Sequence, residues 1–267
     1  MLPSLNGATR LHLIIGDPVA QTKSPTGLTA EFDARGVNAV CIPLHVTARD
    51  FDAVMRAAKL VSNIDGIVIT IPHKFAALTH CDEATERSRI LGAVNIMHRV
   101  APGRWRGDMT DGSAMVGALR RAGCEPGGRR ALVVGAGGAG SAVALALIEG
   151  GVAMLAVTDV DAVRRDSLVQ RLAAKAPAVA RIGTADPAGF GLVVNATPSG
   201  MAAGDPLPVD AARLDPAAFV ADLITKPAMT PLLEAAHRRG CRVVTGEDMF
   251  AVQAGGMADI LLAPPAP

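Results

Sequence analysis

Four apolar residues run directly into a glycine-rich turn in Ala131-Leu-Val-Val-Gly135-Ala136-Gly137-Gly138-Ala139-Gly140-Ser141, and an alanine-rich stretch, Ala142 to Ile148, follows. A buried strand, a tight turn and a helix start in that order suit a dinucleotide. The glycines let the main chain approach a pyrophosphate, and the helix N-terminus offers N–H groups at the positive end of its dipole. The competing reading is a purely structural glycine turn. An acidic residue that reads a ribose is expected about 20 residues further on. Asp159 stands there, after a second apolar run, Val152 to Val157. Cofactor contacts are therefore expected from Gly135, Ala136, Gly137, Gly138, Ala139 and Asp159.

Hydride chemistry on an alcohol also needs a group that takes the hydroxyl proton. The histidines are His12, His45, His73, His80, His98 and His237, and none sits in a recognisable catalytic frame. Tyrosine is absent, which excludes a tyrosine acid. Lys74 differs, because it follows an apolar strand and a proline in Gly66-Ile-Val-Ile-Thr70-Ile-Pro72-His73-Lys74. A cation just past the C-terminal end of a parallel strand lies where open α/β sheets bind ligands. Asp111, in Gly107-Asp-Met-Thr-Asp111-Gly112, lies near an expected domain junction, a common place for a site. Taken alone, Lys74 reads as a solvated surface lysine and Asp111 as a turn residue or helix cap. Together they could shuttle a hydroxyl proton.

The elements that would position these residues alternate. Leu11–Ile15, Ala39–Leu44 and Gly66–Ile71 read as strands, Thr29–Arg35 and Asp50–Lys59 as helices, and Ile90–Met97 as a turn with a short strand. That is an α/β pattern with a largely parallel sheet. A boundary is expected near Gly107–Gly112, followed by a connecting helix, Ser113–Ala122. After the glycine turn the third strand of the nucleotide unit is expected at Leu192–Asn195, the fourth at Ala218–Leu223, and a further one at Arg242–Thr245. Phe250–Leu262 has helical spacing and reads as a helix returning to the first domain; Ala263-Pro-Pro-Ala-Pro reads as a frayed tail. The expected organisation is a substrate-binding domain over residues 1–110, completed by 246–267, and a Rossmann-type dinucleotide-binding domain over 111–245.

Bulk composition removes several function classes. The 267 residues carry a formal net charge of +1, so no basic excess points to nucleic acid or an anionic membrane surface. No apolar run reaches the length of a membrane span, and a soluble, cytoplasmic protein is expected. Cys41, Cys81, Cys124 and Cys241 are widely spaced with no histidine cluster beside them, so they read as reduced core thiols and no metal site is expected.

Segments in order along most of the chain resemble the shikimate dehydrogenase family. They are Gly16-Asp-Pro-Val-Ala-Gln-Thr22-Lys-Ser24-Pro25, Thr70-Ile-Pro-His-Lys74, Leu91-Gly-Ala-Val-Asn95, Gly107-Asp-Met-Thr-Asp111-Gly, the turn Gly135–Ser141, and Asn195-Ala-Thr-Pro-Ser-Gly-Met201. Thr230-Pro-Leu-Leu and Met249 through Gln253 extend the match. The resemblance implies an N-terminal α/β substrate domain, a Rossmann-type domain and a C-terminal helix returning to the first. It implies that Lys74 and Asp111 are catalytic, that Thr22 and Ser24 hold a substrate carboxylate, and that Thr70, Asn95 and Gln253 bond the carboxylate or ring hydroxyls. It adds Thr197, Leu223 and Gly246 to the cofactor contacts.

The sequence departs from the family pattern at five places. Thr22 replaces a serine, Val68 an asparagine, Met109 the asparagine before Thr-Asp, Leu28 a histidine, and Thr225 a tyrosine three residues after Asp222. These departures point to an altered substrate pocket. Where NADP-preferring members carry Asn-Arg-Thr, this chain has Thr158-Asp159-Val160. A carboxylate there would accept from a free ribose and repel a 2′-phosphate, so NAD is expected over NADP, with Arg164 and Arg165 able to rescue the phosphate. The leading expectation is an NAD-dependent oxidoreductase acting on a ring hydroxyl of shikimate or quinate, as a monomer or homodimer whose partner is a small cyclic hydroxy acid. The alternatives are the same chemistry on a substituted analogue such as an aminoshikimate, and a non-catalytic ligand-binding regulator.

Overall fold

The computed structural model describes residues 5–264, so the expected tail lies, from residue 265 on, outside the described residues. The chain divides into two compact units, residues 1–110 with 253–267, and residues 111–252.

The first unit runs β1 (Arg10–Gly16), α1 (Ser24–Ala34), β2 (Ala39–His45), α2 (Phe51–Leu60), β3 (Ile64–Ile69), α3 (Lys74–Ala77), β4 (Glu83–Ala84), α4 (Glu86–Leu91), β5 (Ile96–Ala101) and β6 (Arg104–Asp108). Its sheet has the order β2-β1-β3-β5-β6-β4. The pairs around β1 are parallel, whereas β5 runs antiparallel to β3 and β6. Side chains on a strand alternate faces, and the sequence obeys this strictly. Leu13, Ile15, Ile67, Ile69 and Met97 pack on one face with Phe51, Met55 and Trp105. Ile14, Val68 and Ile96 pack on the other with Leu28 and Phe32. The helices present matching stripes: α2 buries Phe51, Met55 and Ala58, and α1 buries Ser24, Leu28 and Phe32. Each large side chain so buried contributes about 1.5–3 kcal/mol.

One core residue carries a pH-dependent cost. His12 is 1 % exposed, its ring centroid 4.6 Å from that of Phe32, and its Nδ1 has no hydrogen-bond partner among the described residues. Burial pushes its pKa down to about 4. The folded state therefore holds a neutral ring where the unfolded chain, with a pKa near 6.5, would bind a proton. Stability is fully present above about pH 6.5 and falls as pH drops toward 4, by about 3 kcal/mol in all. Urea unfolding midpoints measured from pH 7 to pH 4.5 will show this slope in the native protein. A His12→Gln variant will be flatter over the same window; an identical slope would remove His12 from the account.

The second unit comprises α5 (Asp111–Arg121), β7 (Arg130–Val134), α6 (Gly138–Glu149), β8 (Met154–Thr158), α7 (Ala162–Lys175), β9 (Ala180–Ile182), β10 (Leu192–Asn195), β11 (Phe219–Asp222), α8 (Pro231–Arg238) and β12 (Arg242–Val244). The strands are all parallel, in the order β12-β11-β10-β7-β8-β9. Chain order departs in opposite directions from β7 and β10, which is the doubly wound arrangement with its ligand crevice at the carboxyl ends of those two strands. The strand expected as third is the fourth, because the three-residue β9 precedes it. Gly112 lets α5 and α6 approach closely, since a Cβ there would overlap the Ala142 carbonyl. A last helix, α9 (Gly246–Leu261), starts in this unit, and its residues from Gln253 belong to the first. There Met257, Ala258 and Leu261 complete the core around Ile14, Leu28 and Phe32.

Candidate active site

The glycine turn lies at the crevice of the second unit. Gly135 directly follows β7 at φ +103°, and a Cβ there would sit 2.8 Å from the Ala196 carbonyl oxygen. A Cβ on Gly140 would overlap the carbonyl oxygen of Gly135, so this glycine allows α6 to pack against the turn. Gly137 is different: a Cβ there would meet nothing within 4 Å. Its backbone, at φ −67° and ψ −178°, is one any residue adopts. Gly137 is also the N-cap of α6 and gives no side-chain cap, which leaves the first-turn N–H groups of Gly138, Ala139 and their neighbours without intrahelical acceptors. Open space in front of uncapped N–H groups at a helix N-terminus fits a pyrophosphate.

Asp159 is placed just beyond β8, and its side chain is only 7 % exposed. Its carboxylate accepts hydrogen bonds from the N–H of Ala136 (2.6 Å) and of Asp161 (2.8 Å), and the Arg164 guanidinium lies 3.9 Å away. It braces the glycine turn against the β8–α7 connection. Arg164 also pairs with Asp161 at 3.3 Å, and Arg165 with Asp166 at 2.7 Å.

Across the crevice, Asn195 at the end of β10 accepts from the N–H and hydroxyl of Thr197 and donates to Asp222 at 3.0 Å. Asp222 in turn accepts from the Thr230 hydroxyl (2.8 Å) and the Ile224 N–H (3.0 Å). Burial among neutral donors holds this carboxyl above its ordinary pKa. The network fixes the loop carrying Thr197, and Leu223 is tied to it by its N–H to the Asn195 carbonyl. Gly246 packs under the same strand end, where a Cβ would lie 2.7 Å from the Leu223 carbonyl oxygen. Asp111 is buried at the first position of α5.

In the first unit the expected substrate residues gather beyond β1 and β3. Thr70 follows β3, its N–H bonded to the Ile15 carbonyl. Lys74 opens α3 with only 9 % exposure, and its carbonyl accepts from the N–H of Val94. Asn95, next along, is 1 % exposed and donates to the Thr110 hydroxyl at 3.0 Å while accepting the Thr110 N–H at 2.9 Å. Gln253 on α9 donates to the same hydroxyl at 2.9 Å. Asn95, Thr110 and Gln253 thus form one buried polar cluster, brought together from three distant parts of the chain. Ser24 is buried at the start of α1, and the Thr22 hydroxyl donates to the Val19 carbonyl at 2.8 Å.

Two features here were not legible in the sequence. Thr110 was only a letter in a motif, yet it is the centre of the cluster. Asp108 is gripped by Arg87 through two hydrogen bonds (2.7 and 2.5 Å) and by Thr85 (2.6 Å). Burial alone would raise this carboxyl, but the bonds from Arg87, Thr85 and the Met109 N–H outweigh it and hold the pKa down. The clamp matters because the Asp108 carbonyl accepts the Asn95 N–H. Two expected pocket changes fall elsewhere: Val68 and Leu28 are buried together in the core beside Phe32, so that pair is an exchange within the packing. His73 is equally structural, bonded to the Val46 carbonyl at 2.7 Å and stacked on Phe51. Burial pushes the Cys41 and Cys81 thiols up to about 12, which leaves them unreactive. Among the described residues, no group of three or more His, Cys, Asp or Glu could hold a metal, and no helix is long and apolar enough to cross a membrane.

Comparison with known proteins bears directly on this geometry. The family profile of the shikimate dehydrogenase substrate binding domain matches residues 14–97. A shikimate dehydrogenase (NADP(+)) from Rubrobacter xylanophilus is 39 % identical over 94 % of this chain and 90 % of its own length. Another from Acidiphilium cryptum is 38 % identical over 94 % and 89 %. The crystal structure of shikimate 5-dehydrogenase from Thermus thermophilus, with NADP(H) and shikimate, superposes with a TM-score of 0.85 at 26 % identity, covering 97 % of this chain and 95 % of that one.

These relatives overturn the expected NAD preference, since both curated proteins are named for NADP(+). A charge-based preference for NAD requires a free Asp159 carboxylate, and this one is not free. Its oxygens are bonded to two main-chain N–H groups, with the Arg164 guanidinium 3.9 Å away, so the carboxylate is held by the turn. With the glycine turn at the switch point of a doubly wound sheet, the α/β unit that precedes it, and relatives alike along almost the whole length, the chain belongs to the shikimate dehydrogenase family.

Proposed function

We propose that this chain is an NADP-dependent shikimate dehydrogenase, interconverting one ring hydroxyl of shikimate and the corresponding ketone. The observation that carries the reading is the likeness to shikimate dehydrogenases along 94 % of the chain. The open N-terminus of α6 and the buried cluster of Asn95, Thr110 and Gln253 agree with it. Bound NADP would take up the hydride. The turn from Gly135 to Ala139 holds the pyrophosphate, with Thr197, Leu223 and Gly246 contacting the rest of the dinucleotide. Arg164, 3.9 Å from Asp159, would meet the 2′-phosphate, with Asp159 bracing the turn. Thr22 and Ser24 bind the substrate carboxylate, for which the Thr22 hydroxyl turns away from Val19. Thr70, Asn95 and Gln253 bond the carboxylate or ring hydroxyls, where each unpaired group would cost about 1–3 kcal/mol. Lys74 and Asp111 hold the reacting hydroxyl and take its proton as its carbon loses hydride.

Quinate or an amino-substituted analogue is a second reading, favoured by one feature: Thr225 stands where the family usually has a tyrosine. Initial rates with shikimate and quinate, each with NADP, separate the two. Faster turnover of shikimate supports the first reading; turnover of quinate or an analogue alone supports the second. No turnover of any of them would leave a ligand-binding homologue without catalysis.

A further inference from the structure

A cavity of about 440 Å³ opens at the far edge of the first unit's sheet, lined by Cys81, Asp82, Glu83, Ala84, Arg89 and Arg106. It lies along β4, the two-residue edge strand, whose Glu83 and Ala84 sit in register with Arg106 and Gly107 of β6. Its two carboxylates are already engaged. Glu83 is paired with Arg104, while Asp82 accepts the Trp105 N–H at 2.8 Å and lies 3.5 Å from Lys59. The two arginines are not. Arg89 on α4 and Arg106 on β6 are exposed, and neither guanidinium makes a hydrogen bond or ion pair among the described residues. With Lys59 and Arg104 against Asp82 and Glu83, the uncompensated charge around the cavity belongs to Arg89 and Arg106.

We propose that this cavity is an anion site for a phosphate-bearing small molecule, held between Arg89 and Arg106. Guanidinium forks bind phosphate oxygens two at a time, and two forks from separate elements suit a dianion better than a carboxylate. The volume falls within the range of small-molecule pockets, and it leaves room for an organic portion beyond the phosphate. The site is separate from the residues assigned to substrate and cofactor. It is also connected to them: α4 follows Thr85, and Thr85 and Arg87 grip Asp108 at the end of β6. A ligand bridging Arg89 and Arg106 ties α4 to the strand that leads into Thr110.

The test is isothermal titration of the full chain, with saturating NADP present so that the glycine turn does not take up phosphate. Inorganic phosphate and glycerol 3-phosphate are titrated at matched ionic strength, each with the native protein and with an Arg89→Gln, Arg106→Gln double variant. Both side chains are exposed and unpaired, so the variant is expected to fold, and its melting temperature without ligand checks this. The expected result is saturable one-to-one binding that weakens by about tenfold or more in the double variant. Tighter binding of glycerol 3-phosphate identifies a phosphorylated organic ligand, and equal binding identifies free phosphate. No saturable binding, or binding that the double variant retains, would overturn the proposal.

Discussion

Replacing Lys74 with methionine is expected to lower kcat for shikimate oxidation by about 10²–10⁴-fold, the usual contribution of a positioned proton acceptor, while NADP affinity stays within about twofold. The side chain is buried at the head of α3, directly after the turn that ends β3, and the Val94 N–H pins its main chain beside Asn95. Methionine keeps the length and apolar stem of lysine and removes the nitrogen, so packing is nearly preserved. Asp111→Asn should act in the same direction and by a similar order, because the amide keeps the shape and loses the basicity. If the pair acts as a unit, the double variant will lose little more than either single one. Stopped-flow single-turnover rates would locate the loss in the chemical step. A Lys74→Met enzyme with unchanged kcat and raised KM would make the residue a binding group only.

Replacing Gly137 with valine is expected to weaken NADP binding by on the order of 10²-fold with little change in melting temperature. A Cβ at this position meets nothing in the protein, and the backbone conformation is ordinary for any residue. The added bulk therefore has only the ligand to obstruct. Losing two hydrogen bonds between main-chain N–H groups and a charged phosphate costs about 3 kcal/mol or more, which is about a hundredfold in affinity. Gly140→Ala supplies the contrast, because its methyl would overlap the Gly135 carbonyl inside the protein. That variant should lose thermal stability as well as cofactor. Fluorescence titration together with thermal melts separates the two outcomes. A Gly137→Val protein that binds NADP normally would move the pyrophosphate away from this turn.

The parts that were legible in the sequence are those whose signal is local. The β7–turn–α6 unit is written in consecutive residues, and the strands β1 and β3 carry the short apolar runs Leu13–Ile15 and Ile67–Ile69. Elements short of that signal were missed. The three residues of β9 expose two side chains, α4 is the mostly polar Glu-Arg-Ser-Arg-Ile-Leu, and β6 carries Arg104 and Arg106 on its exposed face. Position could be read from spacing, but hydrogen-bond partners could not. Asp159 falls where a ribose reader belongs, and its bonds to the N–H groups of Ala136 and Asp161 could not be read from its spacing; the expected NAD preference was overturned by relatives named for NADP. The bonds that join Asn195 to Asp222, and Thr110 to Gln253, span 27 and 143 residues and have no local trace. The Val68 and Leu28 departures misled for a related reason, since only the fold shows that both face the core.

The most direct test of the function is the initial rate of nicotinamide reduction at 340 nm with shikimate, measured with NADP and with NAD at equal concentrations. The account predicts turnover with shikimate that is faster with NADP, and that falls about 10²–10⁴-fold in Lys74→Met. Turnover with NAD alone, or no reduction of either dinucleotide, would contradict it.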